Sequence, residues 1–353
     1  MGRESRARWL RPGGPVTIHL VACLVVWGAW AWWSARSGFG WLGACWPMTV
    51  TMIFGSFIGG ATCEGGGAVA FPVLTLALGV APDVARNFSF AIQSVGMGMA
   101  SLVIVSRKIT IERTAVLWAS LGGALGLVLG TVFLAPHVPP KPAKLLFVCI
   151  WLSFGIALFL LNRERDRPVV EAIPGVRVRD VVKLLAFGVG GGAISSIFGS
   201  GLNDLVFCLL TLHFRVSERV ATPTSVVLMA VNAFLGACLH AFVVRDFGSQ
   251  AYLYWLSAVP VVVVFAPLGA ILVSKRSRHF VSRLLYGVLV IQFVGAVAVL
   301  RPPPPWLLAS GAVTSLGVLV FWGMTRWRRT VAVSGSGPVR SAQPLMEYAA
   351  ADE

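Results

Sequence analysis

The chain has 353 residues, 57% of them apolar and only 12% charged, which excludes an ordinary soluble fold. Its formal net charge of +15 would point to nucleic acid in a soluble domain. In a chain this apolar the basic residues belong to loops flanking membrane spans, so the partner is a lipid bilayer and not a nucleic acid.

Four arginines within residues 3–11 precede an apolar run from Pro15 to Trp33. The run is long and rich in tryptophan, and no A-x-A-like site follows it, which favours a retained first helix over a cleaved signal peptide. Residues 1–40 therefore read as a basic segment and a first transmembrane helix. About 20 mainly apolar residues make one crossing, and ordinary spans fall near 15–33, 84–105, 114–135, 143–161, 218–244, 252–274, 280–300 and 305–325. Two regions, 41–79 and 181–214, are too long for one crossing and are broken midway by glycine and polar residues. A charged loop, 163–180, separates a first transmembrane repeat (41–162) from a second (181–300). A last helix (301–325) follows "RPPPPW", and the small, polar tail 326–353 reads as disordered and cytoplasmic.

The two odd regions are related. A shift of 136 residues aligns 55–92 with 191–228, giving 11 identities in 38 positions, among them Gly55/Gly191, Gly65/Gly201, Thr75/Thr211 and Ser89/Ser225. If each odd region dips into the membrane and returns, 23 of the 29 Lys and Arg residues lie on one side. The positive-inside rule makes that side cytoplasmic, with both termini on it. The expected fold is an all-α polytopic membrane protein of two inverted repeats. Each repeat carries a broken, re-entrant helix hairpin, and eight full transmembrane helices accompany them.

Glycine costs about 1 kcal/mol in a helix interior, and an ionisable group at bilayer depth costs roughly 2.5–3.5 kcal/mol. "GGATCEGGGAVAFPVL" (59–74) carries both. Broken helices in paired repeats place the substrate site of secondary transporters at the repeat interface. Gly65, Gly66 and Gly67 let the chain reverse and start a half-helix at Ala68. Its exposed N–H groups and dipole attract an anion. Gly199, Gly201 and Asn203 do the same from the second repeat. The spacing Gly122, Gly126, Gly130 reads instead as close helix packing.

"GSFIGGATCEGGGAVAFPVLTLALGVAPDVARNFSF" and "ISSIFGSGLNDLVFCLLTL" resemble the two half-motifs of the TauE/SafE sulfite exporter family. Gly60, Gly65, Gly66, Gly67, Pro72, Ala85 and Ser89 match in the first half, and Gly199, Gly201, Ala221, Thr224 and Ser225 in the second. Cys63 replaces a usual glycine, and Asn203 and Asp204 replace later members of the second glycine cluster. The resemblance implies a multi-pass inner-membrane permease, an exporter of sulfite, an organosulfonate or a related sulfur-containing or organic anion.

Candidate substrate contacts are thus Gly60, Cys63, Gly65–Gly67, Ser89, Gln93, Gly199, Gly201, Asn203, Thr224 and Ser225, with Asn232 farther along the same span. Glu64 and Asp204 read either as helix caps or as proton carriers, making protons a second partner. His213 and His240 read as structural. The six cysteines are never closer than 18 residues, and no zinc, haem or thioredoxin spacing appears, so no cofactor or metal is expected. There is no ATP-binding motif. The alternatives are an anion channel or a membrane-embedded enzyme using Cys63 and Glu64. Oligomeric state is not set by the sequence.

Overall fold

A computed structural model describes residues 14–162 and 169–326. The basic segment 1–13, part of the charged loop and the tail expected to be disordered lie outside the described residues. Helix α1 (Pro15–Ser37) opens on a proline, whose missing N–H costs nothing at a helix start. It hangs on the bundle through two indole donors, Trp27 to the Pro260 carbonyl and Trp30 to that of Leu256.

The first half then runs α2 (Leu42–Ala61), a three-residue break, and α3 (Gly65–Pro72), which continues as a π-type turn over Val73–Ala77. It goes on through α4 (Pro82–Ser106), α5 (Arg113–Leu129, with a π-type turn at Gly130–Leu134) and α6 (Pro140–Asn162). The second half repeats this order. It consists of α7 (Val178–Phe198), α8 (Leu202–Cys208) with a π-type turn at Leu209–His213, α9 (Glu218–Cys238), α10 (Ser249–Ser274) and α11 (Arg278–Leu300). Helix α12 (Pro304–Arg326) packs against α6, with Phe321 on Phe154.

The 136-residue offset recurs in the element boundaries. Leu42 and Val178, Pro82 and Glu218, and Arg113 and Ser249 each open corresponding helices. The local bonding follows it too. Thr75 and Thr211 both bond back to a phenylalanine carbonyl one turn earlier, at Phe71 and Phe207. Val80 N–H closes on Leu74 as Val216 closes on Leu210.

Among the described residues nine helices are long and apolar enough to cross a membrane. They include α2 and α7, where two limbs ending midway were expected. The two are continuous helices of 20 and 21 residues, and Pro47, one turn into α2, does not end it. Only the second limbs are short. Each pair is antiparallel: Gly59 lies against Gly66 and Gly55 against Val69, and Gly191 lies against Leu202. The first half-helix begins at Gly65, not Ala68. Gly65 alone, at φ +70°, supplies the reversal.

The halves interlock through small residues. Gly122 and Gly126 of α5 press on the carbonyls of Leu185 and Val189 in α7, while Gly60 of α2 and Gly269 of α10 press on Ala266 and Phe57. Such contact replaces the hydrophobic driving force that lipid does not supply. Large apolar side chains such as Phe133, Phe242, Ile291 and Leu308 stay exposed, as a lipid-facing surface requires. Behind the half-helices, Phe71, Phe147 and Phe198 form a buried aromatic wedge with centroids 4.9–5.8 Å apart.

A Cβ at Gly126 would enter the van der Waals shell of the Val189 carbonyl, whereas one at Gly98 meets nothing within 4 Å. Gly126→Ala should therefore lower the yield of monodisperse protein severalfold in size-exclusion chromatography, and Gly98→Ala should not. Equal yields would mean that the α5–α7 contact does not hold the halves together.

Candidate functional site

The two chain breaks meet. Asn203, in the first turn of α8, donates from Nδ2 to the Cys63 carbonyl in the first break and to Asp204 Oδ1 at 3.0 Å. Ser200 Oγ lies 3.4 Å from both the Glu64 carbonyl and Asp204 Oδ2. Side chains of the second break thus answer carbonyls of the first. Ser225 Oγ reaches from α9 to the Asn203 carbonyl at 3.3 Å, and Ser195 Oγ accepts the Leu202 N–H at 3.1 Å.

Gln93 of α4 closes the cluster, donating to the carbonyls of Ser89 at 2.9 Å and Gly199 at 3.0 Å. Its amide occupies the space that a Cβ at Gly65 or Gly67 would need, so this contact requires glycine at both positions. Gly199 and Gly201 turn the second break at φ +75° and +145°. A Cβ at Gly199 would also strike Ser89 and the Arg86 carbonyl.

Other residues singled out from the sequence sit elsewhere. Gly60 faces Ala266 of α10, and Gly66 faces Met52 and Gly55 inside its own hairpin. Thr224 bonds back to Val220 and accepts the Glu112 N–H at 2.9 Å, tying down the α4–α5 loop. Asn232 is buried, and neither end of its amide has a partner. His213 pairs with Lys183 at 2.9 Å, while His240 pairs with Asp246 at 2.8 Å and stacks on Phe90.

Cys63, Glu64 and Asp204 are fully buried, with one ligand-type atom of each within 4.8 Å of the others. Their separation in sequence hid this grouping of potential cation ligands. Glu64 precedes α3 but does not cap it. Both of its carboxyl oxygens, and Gln93 Oε1, are buried without a hydrogen-bond partner. Gln292 of α11 approaches Glu64 without closing a bond in this conformation. Buried polar atoms are nearly always paired, and these three, on Glu64 and Gln93, are not.

Two further features had no local signal. Ser200 is the repeat mate of Glu64 at the 136-residue offset, and only the offset could have found it. Near the start of α4, Arg86 Nη2 meets Asp246 Oδ2 at 2.8 Å. Asn87 Nδ2 donates to the Asp246 carbonyl at 2.9 Å, and His240 completes the group. The ion pair joins residues 160 apart in sequence.

Apolar helices interrupted in pairs, with buried polar groups where the interruptions meet, are the build of secondary membrane transporters. The family model described as "Sulfite exporter TauE/SafE" matches residues 48–296, well over half the chain. The protein belongs to this family of membrane transporters. Comparisons with curated proteins and with solved structures each gave no match.

Asn203→Ala should destabilise the protein by about 1–3 kcal/mol, because the Cys63 carbonyl and Asp204 would lose a buried donor. Thermal unfolding in detergent reads the effect. An unchanged unfolding temperature would mean that the bridge between the breaks carries no stability.

Proposed function

We propose that the protein is a secondary transporter, an exporter, of a small anion such as sulfite, an organosulfonate or a related sulfur-containing or organic anion. The anion binds where the two breaks meet. The observation that carries this reading is the juxtaposition of two half-helix starts with buried, unpartnered polar atoms on Glu64 and Gln93. The first N–H groups of a helix have no acceptor one turn earlier, and together with the dipole they suit an oxyanion without any lysine or arginine.

The halves take opposite orientations in this reading. Treating α2–α3 and α7–α8 as re-entrant leaves three crossings per half, an odd number, so the second half enters from the other face. Residue 172 is then cytoplasmic and residue 247 external, in the inner membrane of the cell, with both termini in the cytoplasm. An impermeant thiol reagent should label Phe247→Cys from outside and leave Ala172→Cys untouched until the membrane is opened. External labelling of Ala172→Cys would end the inverted, re-entrant arrangement.

Protons enter through Glu64 and Asp204. At 4.8 Å or less, two like unit charges repel by about 3–4 kcal/mol at an effective dielectric constant of roughly 20. An anion beside two ionised carboxylates is disfavoured by a similar amount, so occupancy by anion and by proton is linked. An inside-negative potential alone also favours anion export, by about 2.3 kcal/mol per charge per 100 mV.

Counterflow in proteoliposomes tests the reading across sulfite, thiosulfate, sulfoacetate, taurine and simple carboxylates. A transporter accelerates uptake of labelled anion when the same anion is trapped inside. A channel shows no such acceleration, and an enzyme returns an altered product. Glu64→Gln should flatten the dependence of flux on a pH gradient while exchange at equal pH persists. Full pH-gradient dependence in that variant would remove Glu64 from coupling.

A further inference from the structure

A cavity of 410 Å³ opens at the end of the bundle away from the Arg86–Asp246 pair. Arg107, Lys108, Arg219 and Lys275 line it, with Glu171 as the one acidic group among the described lining residues and Thr110 beside them. Lys275 follows the C-terminus of α10 and Arg107 that of α4, where the helix dipole alone would favour a cation. Arg219 does not fit that account. It sits in the first turn of α9, where the dipole disfavours positive charge, so its place needs another reason.

A void of 10 Å³ shares Ile109 and Ser274 with the cavity and is walled by Gly60, Ile104, Thr222 and Pro223. That volume holds about one water and no oxyanion, so it is a neck. Gly60 lies three residues before Cys63, and Thr222 Oγ1 is buried there without a partner. The 136-residue offset maps Thr110 onto Asp246 and Thr222 onto Arg86. The two threonines line cavity and neck at one end, while their mates close the other end with a 2.8 Å ion pair.

We propose that this cavity is an antechamber that captures the small oxyanion electrostatically before it passes the Thr222–Pro223 neck to the meeting point of the breaks. The passage beyond the neck rests on the transporter reading, but capture itself is separately measurable. Low-dielectric walls carrying one sign of charge concentrate counter-ions. Among the described lining residues, four basic side chains against one acidic side chain provide that field. The cavity faces the side assigned as cytoplasmic, where an exported anion starts.

The test uses the full-length protein in nanodiscs with Thr110→Cys, an exposed position. The native chain, whose cysteines are buried or half-buried, serves as the blank. Rates of modification by an anionic and a cationic methanethiosulfonate reagent are compared with their rates on a free thiol, with sulfate as the competing anion. The anionic reagent should be favoured by about tenfold, sulfate should slow it, and Arg219→Gln with Lys275→Gln should remove both effects. Both residues are exposed, and monodispersity confirms that the double variant folds. No anionic preference, no protection by sulfate, or a preference untouched by the double variant would each overturn the antechamber. The assay needs no transport. Antechamber behaviour without counterflow of any anion would sustain capture and sink the transporter reading alone.

Discussion

Two interruptions inside apolar helices leave peptide groups that lipid cannot satisfy, and the fold answers by pressing one interruption against the other. The contact from Asn203 to the Cys63 carbonyl and the approach of Ser200 to that of Glu64 are what make the breaks tolerable. The rest of the architecture serves this meeting. α4 and α9 supply Gln93 and Ser225 as side supports, and the Phe71–Phe147–Phe198 wedge backs the short limbs. Glycine contacts along α5–α7 and α2–α10 hold the halves at the distance the meeting needs.

The same meeting makes the chemistry. Because each half contributes one carboxylate, Glu64 and Asp204 come close only when the halves are docked. Any movement of one half against the other changes their separation and so the cost of holding charge there. In the transport cycle proposed above, that change is what would link a rigid-body motion to the affinity for protons and anions. Glycine serves three purposes here. Gly65 turns the chain, Gly67 leaves room for Gln93, and Gly59 lets the limbs of one hairpin close.

The two ends of the bundle differ although the halves are related. One carries an ion pair buttressed by Asn87 and His240, and the other a basic cavity. Repeat mates are charged residues at one end and threonines at the other, so exchanging the roles of the halves would not give an equivalent protein. Directional function has room to arise from that difference.

Composition and spacing alone established the membrane class, the run of helices, the two broken regions and their 136-residue kinship, since hydropathy and helix-breaking residues act locally. The grouping of Cys63, Glu64 and Asp204 was foreseen only as separate candidates. Motif membership groups Thr224, Gly60 and Gly66 with them because it does not say which neighbour a residue faces. Ser200, Gln292 and the Arg86–Asp246 pair became visible only in three dimensions. A contact across 160 residues depends on how whole helices cross, and helix crossing is decided by packing of surfaces that no short stretch of sequence contains.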